Sequence, residues 1–170
     1  RILTPVAKYW VTKRCSEVTR EAMECLGGNG FVEESIMPRL YRESPVNAIW
    51  EGSGNVMALD VVRVLAREPV AVKELQRELD EARGHDPRLD RAIERAFDDL
   101  GAIEVEAQAR MITERMALAT AGTLLARHAS PEVFEAFAAS RLEGEWGSLY
   151  GTLPTGLDFD AIIEPALPAA

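Results

Sequence analysis

Apolar residues recur along most of this chain at steps of three or four, the period of a helix with one buried face. Val11, Val18, Ala22 and Cys25 or Leu26 follow that spacing and predict a first helix over 5–26. Thr4 suits its N-cap and Pro5 its first turn, where a missing N–H does no harm. Gly27-Gly28 stops it, because glycine accepts the left-handed conformation after a last helical turn. Asn29-Gly30 then reads as a turn. Residues 31–44 read as irregular, with Pro38 and Pro45 as breakers. Ser53-Gly54-Asn55 opens a second helix that runs to Arg67, with Val56, Leu59, Val62 and Ala66 as its apolar stripe and Pro69 marking its end.

Residues 70–83 predict a third amphipathic helix, ended by Gly84. Asp86-Pro87 restarts the chain with an N-cap acid and a proline at the first helical position. A single long helix is expected from there to His128. Leu89, Ile93, Phe97, Leu100, Ile103, Ala107 and Met111 form its line, and Leu118 and Leu125 extend it. Gly101 and Gly122 fall inside it. Ser130-Pro131 starts a last helix to Leu142. From Gly144 the periodicity ends, and a loosely packed or disordered tail is expected. No alternating strand pattern of useful length occurs. The expectation is an all-α helical bundle of mostly antiparallel helices in three stretches, 1–68, 69–143 and 144–170.

Composition agrees with helix: aromatics are 6% of the 170 residues, while alanine, leucine, glutamate and arginine are abundant. Charge adds a division. The formal net charge is −9; residues 1–68 carry nine Lys/Arg and nine Asp/Glu, so the excess of acid lies wholly in 69–170. Nucleic-acid surfaces need basic patches, and the acidic half argues against DNA as a partner. No apolar run approaches a membrane span and no signal peptide is visible, so a cytoplasmic protein with no membrane partner is expected. Cys15 and Cys25 are the only cysteines and fall on different faces of the first helix, so neither a disulfide nor a metal pair is expected. His85 and His128 have no metal partner at ligand spacing. A start at Arg1, already within a helix, suggests part of a longer protein.

Two segments offer chemistry. Leu26-Gly27-Gly28-Asn29-Gly30-Phe31 follows a helix and does not open one after a strand, so it is neither a dinucleotide fingerprint nor a P-loop; a glycine stop and turn accounts for it on spacing alone. Ile49-Trp50-Glu51-Gly52-Ser53-Gly54-Asn55 puts Glu51 just before a helix N-terminus. Burial against Ile49 and Trp50 would raise its pKa and the helix dipole would lower it, a balance that suits a general base. Gly52 and Gly54 leave room for a ligand. The plainer alternative is an acid stabilising its own helix, with Ser53 as the cap, and spacing does not decide between them.

Taken in order, "AMECLGGNGF" and "PRLYRESPVNAIWEGSGN" resemble the C-terminal signature of the acyl-CoA dehydrogenase family, over residues 1–67. The resemblance implies the C-terminal helical bundle of that fold, followed by an additional helical extension. It implies an FAD-dependent oxidoreductase that removes hydrogen across the α,β bond of acyl-CoA thioesters. Glu51 stands at the position of the base in the best-known members, and its backbone N–H would help polarise the thioester carbonyl. Glu24, Gly27 and Gly28 match the contact with the flavin of a neighbouring subunit, and Ser53, Gly54 and Asn55 match a further flavin contact. A homotetramer and an electron-transfer acceptor are implied as partners. The isolated chain lacks the family's other domains, and neither stable FAD binding nor turnover is expected of it.

Departures narrow the resemblance. A common glutamine is Glu24 here, and the usual threonine after "EG" is Ser53. Arg63 lies twelve residues after Glu51, where most members are less polar; in the pocket it would contact substrate and hinder a fatty acyl chain. The wording around Glu51 and a C-terminal extension of about 100 residues is similar to the family's alkylation-response branch. Those flavoproteins have weak dehydrogenase activity, and their extension is credited with DNA binding. An oligomerisation module without chemistry is the third expectation for 69–170.

Overall fold

The computed structural model describes residues 1–98, 105–144 and 147–168, and among these there is no strand. The chain divides into two compact units. The first comprises 1–74 and 99–117, and the second 75–98 and 118–170.

In the first unit α1 spans Leu3–Cys25, α2 Gly28–Phe31, α3 Met37–Glu43 and α4 Gly54–Arg67. A 3₁₀ turn, Ser44–Ala48, follows α3 directly. Helix α1 starts earlier than the sequence suggests, with Ile2 at the N-cap and no side-chain cap bond, so Thr4 is not the cap. Gly27 follows its last turn at φ 59°, as the glycine stop requires. Asn29-Gly30 is not a turn but lies in α2. Pro38 and Pro45 are not breakers: each sits at the start of a helical segment, where proline's fixed φ favours entry. Buried Ser44 secures this corner. Its Oγ donates to the Tyr41 carbonyl at 2.9 Å and lies 3.2 Å from Ser16 Oγ of α1.

The period of α1 and α4 is helical, but the buried face differs from the one read off the sequence. Helix α1 buries Ile2, Pro5, Val6 and Tyr9, whereas Val11, Val18, Ala22, Cys25 and Leu26 are exposed. Helix α4 buries Gly54, Ala58, Val61 and Val64 and leaves Val56, Leu59 and Ala66 exposed, with Val62 partly covered. Both helices are apolar on two faces. The buried face is the one that meets partners distant in sequence, Tyr9 and Ala109 for Ala58 of α4. The core joins Tyr9, Ala58 and Ala109, with Met57 and Val62 packed against them.

Helix α5 spans Pro69–Asp80, shorter than 70–83, with Gly84 beyond it at φ 80°. The expected single helix over 87–128 is two, α6 Pro87–Arg95 and α7 Val105–His128. Helix α6 closes with Phe97 N–H donating to the Glu94 carbonyl, a tightened final turn. Leu100, Gly101 and Ile103 of the expected stripe lie outside the described residues, while Ala107 and Met111 are exposed. Helix α7 buries Ala109, Ile112, Thr113 and Met116 in its first half and Ala119 and Thr123 in its second. Helix α8, Pro131–Phe137, is capped by Ser130 and passes into a π turn, Ala138–Leu142. Within the stretch expected to be a tail, Asp158 caps a short α9, Phe159–Ile163, none of whose residues is buried. A helix needs only one good cap and a few apolar residues when it has α8 to pack against.

In the second unit Leu79 and Leu89 are fully buried. Gly122 has a packing reason: a Cβ there would stand 2.8 Å from Leu89 Cδ1, so glycine lets α6 and α7 approach. Asp86 caps α6 by accepting from the Arg88 N–H at 2.7 Å. The Arg88 side chain reaches Asp86 at 2.8 Å, Glu135 at 2.5 Å and Glu143 at 3.6 Å. Hydrogen bonds to Arg88 hold Asp86 and Glu135 below their ordinary values of 3.8 and 4.5. Carboxylates depressed on folding contribute stability above their unfolded pKa and lose it as pH falls through the folded one. Asp86, largely covered, carries most of this; half-exposed Glu135 is screened. Thermal melts should therefore hold steady from about pH 7 to 5 and decline below about pH 4. Arg88→Met should lose about 1–3 kcal/mol at neutral pH and flatten the acid decline. A variant as acid-sensitive as the parent would exclude Arg88 from this role.

Candidate functional site

The loop between Ser44 and α4 is short and bends twice. Glu51 has φ 51°, a left-handed conformation that costs a non-glycine residue about 1–2 kcal/mol. Gly52 follows at φ 104°, which only glycine tolerates readily. A Cβ on Gly52 would also strike Met57 Cε at 2.3 Å. Along this stretch three carbonyls face Lys8 of α1. The Lys8 ammonium donates to the carbonyls of Gly52 at 2.7 Å, Trp50 at 2.9 Å and Asn47 at 3.4 Å.

Glu51 itself is exposed. The expected burial against Ile49 and Trp50 is absent within this chain, for both are about 60% exposed or more. Among the described residues the Glu51 carboxylate makes no hydrogen bond or ion pair. Ser53 is at the N-cap of α4 in extended conformation, yet its hydroxyl makes no capping bond. The plainer account, a capped helix with a stabilising acid, therefore loses one of its two parts.

Helix α7 reaches the same place from the other stretch of the first unit. Arg110 Nε donates to Asn55 Oδ1 at 2.7 Å. Tyr9 lies beneath, its phenol pushed up chiefly by burial, with Arg110 opposing and Glu114 adding to the shift. Gly54 is needed for space, since a Cβ would meet Lys13 Cε at 2.5 Å. The structure thus gathers Glu51, Gly52, Ser53, Gly54 and Asn55 at one helix entrance. Among the described residues no hydrogen bond or ion pair draws Arg63 into this cluster. Its Nη1 pairs with Asp60 at 2.9 Å, and Asp60 also accepts from Arg1 at 3.0 Å.

Glu24, Gly27 and Gly28 line a separate open groove of about 490 Å³ with Arg20, Met23 and Phe31. Gly27 is explained by its positive φ, but Gly28 is not. Its φ is negative and a Cβ there would meet nothing within 4 Å. Nothing among the described residues forbids a side chain at Gly28, so a bare backbone there leaves room for close approach by a ligand. Arg20, which pairs with Glu17 at 3.6 Å and Glu21 at 3.9 Å, brings a cation to the groove beside Glu24.

Lys8, Tyr9 and Arg110 have no signature in the sequence. Lys8 stands 43 residues before Glu51. Arg110 comes from the extension. Only folding reveals their convergence.

The fold and these two sites define an all-α helical-bundle domain with a glycine-framed carboxylate loop and a glycine-lined groove. Residues 1–66 match the model of the acyl-CoA dehydrogenase C-terminal domain, and this part of the chain belongs to that family. AidB of Escherichia coli, named among the acyl-CoA dehydrogenases, is 42% identical over 86% of this chain and 27% of its own. The crystal structure of Caenorhabditis elegans ACDH-11 in complex with C11-CoA aligns with TM-score 0.61 and 30% identity, over 79% of this chain and 26% of that one. Butyryl-CoA dehydrogenase of Syntrophomonas wolfei is 36% identical over 35% of this chain and 10% of its own. The chain spans about a quarter of the length of its two more extensive matches. No helix among the described residues is long and apolar enough to cross a membrane.

Proposed function

We propose that this chain is the C-terminal part of an FAD-dependent acyl-CoA dehydrogenase in which Glu51 is the catalytic base. The observation that carries the proposal is the state of Glu51. It is held at a strained positive φ between two carbonyls bound to one ammonium, with its carboxylate exposed and unpartnered among the described residues. Strain of this kind persists where the surroundings over-determine it, and it clusters at functional sites. In the reaction the α-proton of the thioester passes to the Glu51 carboxylate as the α,β double bond forms. FAD, when bound, accepts the hydride from the β-carbon. The Glu51 N–H helps polarise the thioester carbonyl. Glu24, Gly27 and Gly28 serve the flavin of a neighbouring subunit, and Ser53, Gly54 and Asn55 a nearer one.

The relatives support an acyl-CoA substrate by what they are named for, butyryl-CoA in one and a C11-CoA complex in another. Exposed apolar residues on the first unit, including Val11, Val18, Phe31, Trp50 and Val56, support a homo-oligomer, in which a tetramer would cover them. In domain terms, 1–68 is the family portion, 69–143 the extension and 144–170 a tail. An anaerobic titration of the full-length flavoprotein with acyl-CoA thioesters of graded length tests the proposal. Bleaching of the visible flavin band is expected with at least one of them. A bound flavin that stays oxidised with all would overturn it.

One observation favours a second reading. The AidB and ACDH-11 matches cover 86% and 79% of the chain and so run into the extension, whereas the butyryl-CoA dehydrogenase match covers 35% of it. A flavoprotein of the alkylation-response type, cytoplasmic and weakly active toward acyl-CoA, accounts for that coverage. Its DNA-associated part conflicts with the acid excess of 69–170. Retention on duplex DNA at low salt would restore it.

A further inference from the structure

We propose that Lys8 is a positioning residue for the acyl-CoA reaction: its ammonium holds the Asn47–Gly52 backbone in the conformation that presents Glu51. This rests on Glu51 being the base. Three features carry it. The three N–H groups of one ammonium meet the carbonyls of Asn47 in the 3₁₀ turn and of Trp50 and Gly52 beyond it, so a point cation ties the strained residues to the turn before them. Lys8 has no carboxylate partner among the described residues, so its charge is spent wholly on these dipoles. And the loop has little else to hold it. Ile49, Trp50 and Glu51 are exposed, and the loop's own backbone bonds are those of Ile49 and Trp50 N–H to the Val46 carbonyl, before the strained residues are reached. Lys8 is itself well placed to bear strain, since it lies on α1 between buried Val6 and Tyr9.

The geometry distinguishes lysine from arginine. Three carbonyls converging from different points of a bend suit a compact ammonium with rotatable donors, and a planar guanidinium fork would have to displace one of them. The carbonyls of both neighbours of Glu51 are fixed, on either side of its φ 51° backbone. Releasing them lets the residue relax toward a negative φ, which swings the carboxylate to another direction. Proton transfer would suffer.

The test uses the full-length flavoprotein with Lys8→Met and Lys8→Gln, the latter keeping an N–H₂ donor in case the former does not hold flavin. Amide hydrogen exchange at residues 50–53 should quicken about tenfold or more in Lys8→Met, with exchange in the body of α4 unchanged. Flavin reduction by an eleven-carbon acyl-CoA, followed by stopped flow, should slow roughly 100-fold while the Kd stays within threefold, with Lys8→Gln between. Unchanged exchange in both variants would overturn the proposal. So would faster exchange with an undiminished reduction rate, or a parallel loss of affinity, flavin and rate, which marks a merely structural role. Glu51→Gln is measured alongside. Full activity in that variant overturns the base assignment and this proposal with it, whereas an inactive Glu51→Gln beside unaffected Lys8 variants overturns the role of Lys8 alone.

Discussion

Glu51→Gln should reduce the rate of flavin reduction by acyl-CoA about 10²–10⁴-fold, while thioester affinity stays near that of the parent. Glutamine keeps the size of the side chain and its hydrogen-bonding reach but has no lone pair basic enough to take an α-proton. A second substitution at the same position gives the sign that separates function from fold. Glu51 occupies φ 51°, where glycine carries no Cβ penalty. Glu51→Gly should therefore leave the melting temperature unchanged or raise it, by an amount matching about 1 kcal/mol, while abolishing reduction. A residue that destabilises its own loop and is needed for turnover is held there for chemistry. If Glu51→Gly instead lowered stability, the carboxylate would be a structural acid of α4.

The second large effect is expected at Gly30. It lies in α2, buried, and a Cβ there would stand 2.2 Å from the Met23 carbonyl oxygen and 3.0 Å from Leu26 Cβ. The first of these is backbone at the end of α1 and cannot swing aside. Gly30→Ala should destabilise the α1–α2 corner by about 3 kcal/mol, a fall in melting temperature of roughly 6–12 °C for a chain of this size. Gly28→Ala, two residues away, has open space and a negative φ. It should melt like the parent and lose FAD more readily in the full-length protein, because the added methyl group stands in the groove with Arg20 and Glu24. Equal thermal losses in the two variants would place both glycines in the fold alone. Retained FAD in Gly28→Ala would remove the groove from the cofactor site.

These pairs show where the chain was legible as sequence and where it was not. Punctuation read correctly wherever one residue type has one physical consequence. Gly27 after α1, Asp86-Pro87 before α6 and Ser130-Pro131 before α8 all stand where expected. Periodicity gave helices but not their buried faces. In α1 and α4 both faces are apolar, and choosing between Val56–Leu59 and Ala58–Val61 depends on Tyr9 and Ala109, residues far away in sequence. Pro38 and Pro45 were ambiguous because proline both ends and begins helices, and the flanking residues decide which. At the site, Glu51 and its glycines were visible as a motif. Lys8 and Arg110 were not, since a lone cation on a helix has no pattern until its partners arrive from 44 and 55 residues away.

The central claim is that the Glu51 carboxylate removes the α-proton of an acyl-CoA thioester. It is tested most directly by incubating the full-length flavoprotein anaerobically with an acyl-CoA in D₂O and measuring deuterium at the α-carbon by mass spectrometry, for the parent and for Glu51→Gln. Deuterium entering in the parent and not in the variant is the expected result. Deuterium entering equally in both, with flavin bound in each, would contradict the assignment and leave Glu51 without a chemical role.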